Sequence, residues 1–276
     1  MVNGEGLLDY QASFRTLFDM PQFSANISTL FQEAPLLDRI GLAKRAGFDG
    51  IEIQFPYEVE AAALHDALER AELPLVLFNL PAGDLLVGGP GNAAVAGREA
   101  EFAAAIELAY EYYQVLKPIN INILSGKVNG DSLGEDCLSV FAKNLLKCHK
   151  AFESTGIQLV VEAINTQDQP GFLLSRSAQA VALIKRLDAI DLGFQYDLYH
   201  MELMEANASL KDPAVFSKIK HFQFADAPGR HQPGSGTIDF QSIFNWIDAS
   251  GYQGYVGAEY FPTGLTADSL GWLQRT

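Results

Sequence analysis

The feature that most constrains this chain is an alternation: short apolar runs trade places with longer amphipathic stretches along almost its whole length. Runs that suit strands fall at 23–26, 50–54, 75–79, 119–124, 159–162, 192–197, 221–224 and 255–259. Between them lie helical patterns near 34–46, 59–71, 98–116, 134–154, 177–187, 212–218 and 239–250. Several of these stop at a glycine, as in Ala46-Gly47, Thr155-Gly156 and Ser250-Gly251, where the chain can take the left-handed turn that ends a helix. Strands separated by helices predict a parallel sheet covered by those helices. Eight such units favour closure, so the expected fold is α/β, a (β/α)8 TIM barrel, for which 276 residues is an ordinary length.

No linker, low-complexity tract or charge block divides the chain, so residues 22–276 read as one barrel domain and 1–21 as an N-terminal extension. The segment 80–97 is rich in Gly, Pro and Ala and joins a strand to a helix. A connection of that length is expected to serve as a lid or part of a binding mouth. The last stretch, 264–276, is short for an eighth helix and is expected to close the barrel only partly.

With 34 acidic against 19 basic residues the formal charge is -15. Such a surface repels phosphate backbones and has no attraction for an anionic membrane, so neither nucleic acid nor membrane is an expected partner. Cys137 and Cys148 fall in one helical stretch about three turns apart and are expected as packed, unpaired thiols. No leader pattern and no apolar run of about 18 residues is present, and the expectation is a cytoplasmic protein.

In a parallel barrel the chemistry sits where strands finish. Strand five ends at Glu162, strand six at Asp197 and strand eight at Glu259, while strand seven contains Gln223; earlier strands end at Asn26, Gln54 and Asn79. Three carboxylates brought to one face repel one another unless a cation sits among them. An oxygen-rich set with open positions suits Mg²⁺ or Mn²⁺, so Glu162, Asp197, Gln223 and Glu259 are candidate ligands. Any one of them alone could instead cap a helix; the set in register carries the signal. His200, three residues past Asp197, can touch substrate, touch a metal ligand or be a loop histidine satisfied by backbone. Arg230 and His231, in the Gly/Pro-rich loop after strand seven, suit a substrate carboxylate or a solvated turn. His65 and His149 lie in helical patterns and read as surface or packing residues.

Phe23-Ser-Ala-Asn26, Phe55-Pro-Tyr57, Asn79-Leu-Pro-Ala-Gly-Asp84, Glu162-Ala-Ile-Asn165, Gln195-Tyr-Asp-Leu-Tyr-His-Met201 and Gly257-Ala-Glu-Tyr260 resemble the hydroxypyruvate isomerases, members of the xylose-isomerase-like barrels. The resemblance runs from Phe23 to Trp272. It implies a metal site of Glu162, Asp197, Gln223 and Glu259, with Glu162 and Glu259 as the acid/base pair. Related sugar epimerases carry His where Gln223 stands, which favours the isomerase branch. The 2-oxo-tetronate isomerases share most of these motifs. Glu162-Ala-Ile-Asn165 and Pro170-Gly-Phe172 lean to hydroxypyruvate, whereas Gly264-Leu-Thr and Leu270-Gly-Trp272 lean to the tetronate.

The resemblance implies interconversion of hydroxypyruvate and tartronate semialdehyde through an enediolate; the candidate substrate contacts are Asn79, His200, Arg230 and His231. The expected partner is a small keto acid or sugar acid, and a homo-oligomer is open. Three rivals stay open: a ketose 3-epimerase, an apurinic endonuclease and a non-catalytic sugar- or metal-binding barrel. The endonuclease needs a zinc cluster rich in His, and the chain has five His in all.

Overall fold

The computed structural model describes residues 21–128 and 134–273. Eight strands, β1 (Gln22–Asn26), β2 (Gly50–Ile53), β3 (Leu75–Asn79), β4 (Asn120–Asn122), β5 (Gln158–Glu162), β6 (Leu192–Asp197), β7 (Ile219–Phe224) and β8 (Tyr255–Ala258), close into a barrel in chain order. Every neighbouring pair is parallel, including β8 against β1. The helices are α1 (Leu36–Ala46), α2 (Ala61–Ala71), α3 (Glu99–Leu116), α4 (Gly134–Phe152), α5 (Ser177–Arg186), α6 (Leu198–Glu205), α7 (Pro213–Phe216) and α8 (Phe240–Ala249). The expected extension, apart from Pro21, lies outside the described residues.

The strands form because they bury both faces, as strands covered by helices outside and side chains within must. β3 and β6 are buried at every residue. Outward-pointing aromatic residues weld strands to helices: Phe23, Phe224 and Phe244 meet edge to face, with ring centroids 5.0–6.0 Å apart. No α-helix follows β8 among the described residues. Two short 3₁₀ turns, Thr266–Ser269 and Gly271–Leu273, stand in that place. Trp272 there packs 5.1 Å from the Phe23 ring and 5.0 Å from Phe224, sealing the gap.

One helix departs from the sequence expectation. α6 starts directly after β6, with no loop between, because Asp197 does two jobs: it ends the strand, and its Oδ1 accepts the Tyr199 N–H at 2.8 Å as an N-cap. His200 therefore sits on the first turn of a helix, not in a loop. The stretch expected at 212–218 shortens to the four residues of α7. Cys137 and Cys148 are both buried and free.

Side chains of period two fill the barrel. Ser24 and Asn26, Gln195 and Asp197, His221 and Gln223, then Gly257 and Glu259 alternate inward from their strands, the hydrogen bonds below fixing the direction. The lower layer is built on Glu52 of β2, wholly buried. It receives Ser24 Oγ at 2.5 Å, His221 Nε2 at 2.9 Å and Gln223 Nε2 at 2.7 Å. Gly257 makes room for it: a Cβ there would stand 2.0 Å from Glu52 Oε1. A larger residue at 257 would push the carboxylate off its donors.

Candidate active site

The upper layer lies at the carboxyl ends of the strands, on the floor of a cavity of about 280 Å³. Glu162, Glu259, His200, Arg230, Asn79 and Asp168 are among its walls. Leu85, Leu86 and Gly88 from the segment 80–97 also line it, so that segment forms part of the mouth. An Asp84–Arg98 ion pair, 2.8 Å between Oδ1 and NH1, pins the loop to the start of α3. A second, shallower hollow opens at the other end of the barrel among Ser217, Lys220, Tyr252 and Gln253, and no carboxylate lines it.

Glu162 ends β5. Its Oε2 accepts Asn122 Nδ2 at 2.8 Å, and among the described residues its Oε1 accepts no hydrogen bond. Asp197 is wholly buried, and its Oδ2 has no hydrogen-bond partner. Glu259 follows β8 and is better supplied: Asn26 Nδ2 and Gln54 Nε2 donate to Oε1 at 2.8 and 2.7 Å, and Arg230 NH2 to Oε2 at 2.6 Å. The same guanidinium nitrogen stands 3.9 Å from Asp197 Oδ2. One cation thus faces three buried carboxylates, and Coulomb repulsion among them is left uncompensated.

The titration behaviour follows. Burial, then repulsion from Glu259 and Asp197, holds the Glu162 carboxyl well above its usual range. Burial pushes Asp197 up to about 7 although Arg230 pulls the other way, and Glu259 is also raised by burial in spite of Arg230. Burial, helped by the positive Arg230, holds His200 well below the usual imidazole range.

Glu162, Asp197 and His200 each bring a ligating atom within 4.8 Å of the others and can hold a cation. The donor set fits a hard divalent ion: a buried carboxylate oxygen with no partner is costly unless something positive meets it. Gln223, paired in register with Asp197, is placed beside this group, yet its amide is already engaged. Its Nε2 donates to Glu52 and its Oε1 accepts from Gln195 Nε2 at 2.6 Å. A carboxamide oxygen has two lone pairs, so one is left.

Among the candidate substrate contacts, Asn79, His200 and Arg230 reach the cavity. Asn79 Oδ1 and Arg230 Nε have no partner. His231 turns away, its Nδ1 2.7 Å from the Phe261 carbonyl, and it does not line the cavity. The loop that carries Arg230 is shaped by Asp226, wholly buried, whose carboxylate accepts the backbone N–H groups of Ala227, Gly234, Gly236 and Ile238 at 2.8–3.1 Å. Arg230 itself has a left-handed backbone, φ 57°, and its guanidinium stacks 5.4 Å over the Tyr199 ring.

Several functional neighbours are not in the candidate set taken from the sequence. Asn26 and Gln54 were visible there as strand ends but had no assigned role. Asn122, the last residue of β4, sits in the middle of the apolar run 119–124, and Asn165 follows β5 inside one of the family-like motifs. Glu52 had the clearest signal, an acid in the apolar run Gly50-Ile-Glu-Ile53.

Comparison with known proteins agrees with this architecture. A family model described as "Xylose isomerase-like TIM barrel" matches residues 40–276. The hydroxypyruvate isomerase of Escherichia coli K12 is 38% identical over 254 residues, covering 92% of this chain and 98% of that protein. A 2-oxo-tetronate isomerase of Cupriavidus necator is 36% identical over 255 residues, with 92% and 98% covered. A crystal structure from Brucella melitensis, described as "AP endonuclease, family 2", superposes with a TM-score of 0.88 at 35% identity over 92% of this chain and 98% of that one.

Proposed function

Because the chain belongs to the xylose isomerase-like TIM barrels, we propose that it is a divalent-cation-dependent isomerase that interconverts hydroxypyruvate and tartronate semialdehyde. The observation that carries this reading is the trio of buried, under-neutralised carboxylates at the strand ends: Glu162 and Glu259 line a small cavity, and Asp197 is wholly buried. The cavity's size, at the low end for ligand sites, favours a substrate of few atoms.

Glu162, Asp197 and Glu259 would hold the cation, with the free lone pair of Gln223 as a fourth oxygen; Mg²⁺ and Mn²⁺ suit such a set. When bound, the cation supplies stabilisation of the negative charge that develops on the two substrate oxygens. The chain's own residues move the protons. In hydroxypyruvate, a carboxylate takes a proton from the hydroxymethyl carbon, C3, and the electron pair forms a C2–C3 double bond, an enediolate. A proton then returns to C2, and the C3 hydroxyl passes its proton to the C2 oxygen, so that C3 becomes the carbonyl and C2 carries the hydroxyl. Glu162 Oε1, without a hydrogen bond and of raised basicity, suits the first transfer. Glu259, whose carboxyl is also raised by burial, is the partner acid. Arg230 and Asn79, which line the cavity, are the candidates to hold the carboxylate end.

The four-carbon 2-oxo-tetronate is the second reading, favoured by the relatives that carry that name. The deciding experiment is incubation of each keto acid with the protein and Mn²⁺ in D₂O, with and without chelator, followed by NMR. Deuterium at C2 of the product and loss of turnover with chelator support the proposal. A stereochemical change without carbonyl movement would make the protein an epimerase, and binding without exchange a non-catalytic barrel. Arg230→Ala is expected to raise KM about tenfold or more, the cost of one charge-assisted pair; an unchanged KM would move the anion site elsewhere.

A further inference from the structure

Asn165, wholly buried just beyond β5, has every hydrogen-bonding position of its side chain taken. Its Oδ1 accepts the backbone N–H groups of Gln167 at 3.0 Å and Asp168 at 2.8 Å. Those two groups can only donate, so the orientation of the amide is settled: Nδ2 must face the other way. There it meets two acceptors, Asp168 Oδ2 at 2.9 Å and His200 Nδ1 at 2.7 Å. Tyr199 OH also donates to Asp168 Oδ2, at 2.8 Å, which keeps that carboxylate in place.

An N–H aimed at His200 Nδ1 requires a lone pair on Nδ1. The ring is then neutral, with its single proton on Nε2. Nε2 stands 3.6 Å from Asp197 Oδ2 and 3.9 Å from Glu162 Oε1, both too far for a hydrogen bond. Its N–H therefore has no acceptor among the described residues, and His200 lines the cavity.

We propose that Asn165 is a positioning residue that fixes His200 as the Nε2–H tautomer, making His200 a hydrogen-bond donor to a substrate oxygen and keeping it off the cation. Proximity alone would let His200 join Glu162 and Asp197 as a ligand. Coordination needs a lone pair on the coordinating nitrogen, and the only lone pair on this ring points at Asn165. A neutral imidazole donor is well suited to polarise a substrate carbonyl while adding no charge to the floor. The substrate half of this inference rests on the isomerase reading; the tautomer does not.

The test is ¹⁵N NMR of the metal-free protein labelled at its five histidines, with the His200 signals identified by their loss in His200→Gln. The expected spectrum has a protonated Nε2 and a bare Nδ1 for His200. The opposite tautomer, or a doubly protonated ring near pH 7.5, overturns the proposal. Asn165→Asp supplies the complementary arm: a carboxylate only accepts, so it demands a proton on Nδ1 and frees Nε2. The tautomer should reverse, pulsed EPR of the Mn²⁺-loaded variant should gain an imidazole-nitrogen coupling that the wild type lacks, and kcat should fall about 10–100-fold. A nitrogen coupling in the wild type that vanishes in His200→Gln overturns the proposal, as does Asn165→Asp with an unchanged tautomer. Should that variant fail to fold, the wild-type spectra alone decide. Should the protein neither bind Mn²⁺ nor turn over either keto acid, the functional reading falls while the tautomer measurement stands.

Discussion

Two layers of buried carboxylates sit a few ångströms apart in the same barrel and are treated in opposite ways. In the lower one, Glu52 is met by a hydroxyl, an imidazole and an amide, all donors. Asp226, at the rim, is likewise saturated by four backbone N–H groups. In the upper layer Asp197 keeps an oxygen with no partner, Glu162 has one donor, and three carboxylates share the single guanidinium of Arg230. Burial is the same in both; supply of donors is not. A saturated carboxylate organises structure, whereas a starved one stores repulsion that only a ligand relieves. The contrast marks the upper layer as the candidate site on physical grounds alone.

The contrast makes quantitative demands. The largest concerns activity: Glu162→Gln should lower kcat by about 10³-fold or more, because both a proton carrier and a charge are removed. It should leave the metal-free melting temperature unchanged or higher. A variant that keeps a tenth of wild-type turnover would take Glu162 out of the reaction. Next is stability. Glu52→Leu strands three buried donors and should cost about 3–5 kcal/mol in urea unfolding. A loss below about 1 kcal/mol would mean that the lower layer organises nothing.

Asp197→Asn should act with the reverse sign. The cap on Tyr199 N survives, since an amide oxygen also accepts, and one of three repelling charges goes. The metal-free variant should be more stable than the wild type at pH 8, by about 1 kcal/mol, while Mn²⁺ affinity measured by calorimetry collapses. A destabilised variant would show that the upper carboxylates are not in conflict.

The smallest effect is the pH dependence of the metal-free protein. Asp197 titrates near 7 when folded and near its ordinary value of about 3.9 when unfolded. Between those values the folded state holds a proton that the unfolded state has lost, so the stability it contributes is full below about pH 4 and drains away as pH rises through 7. Thermal melts from pH 5 to 8 should fall, and Asp197→Asn or added Mn²⁺ should flatten the trend. A melting temperature that rises over this range would reverse the assignment.

Much of this was legible in the chain. The eight apolar runs locate all eight strands, since a strand buried on both faces has to be apolar almost throughout. Glu162, Asp197 and Glu259 stand out for the same reason: each is an acid where an apolar run stops. What could not be read was what each polar group bonds to. Gln223 has the same spacing from its strand whether it faces a cation or Glu52, and the structure has it bonded to Glu52 and Gln195. His231 stands next to Arg230 in the same loop, yet the left-handed turn at Arg230 sends one inward and ties the other to Phe261. Helix α6 went unseen because Asp197 read as a ligand, and a residue that ends a strand and caps a helix leaves no loop to mark the change.

By itself, then, the sequence determined the alternation, the closure into a parallel barrel and the acids at the strand ends, because these follow from local patterns of apolar and polar residues. Only the tertiary structure decided which acids are satisfied and which are left wanting. That depends on donors contributed by strands far away in the chain, such as Asn26 to Glu259 across 233 positions and His221 to Glu52 across 169. It also decided which nitrogen of His200 holds its proton, through two backbone N–H groups that fix the amide of Asn165. Hydrogen-bond supply is a property of neighbours in space, and closing the barrel is what makes those residues neighbours.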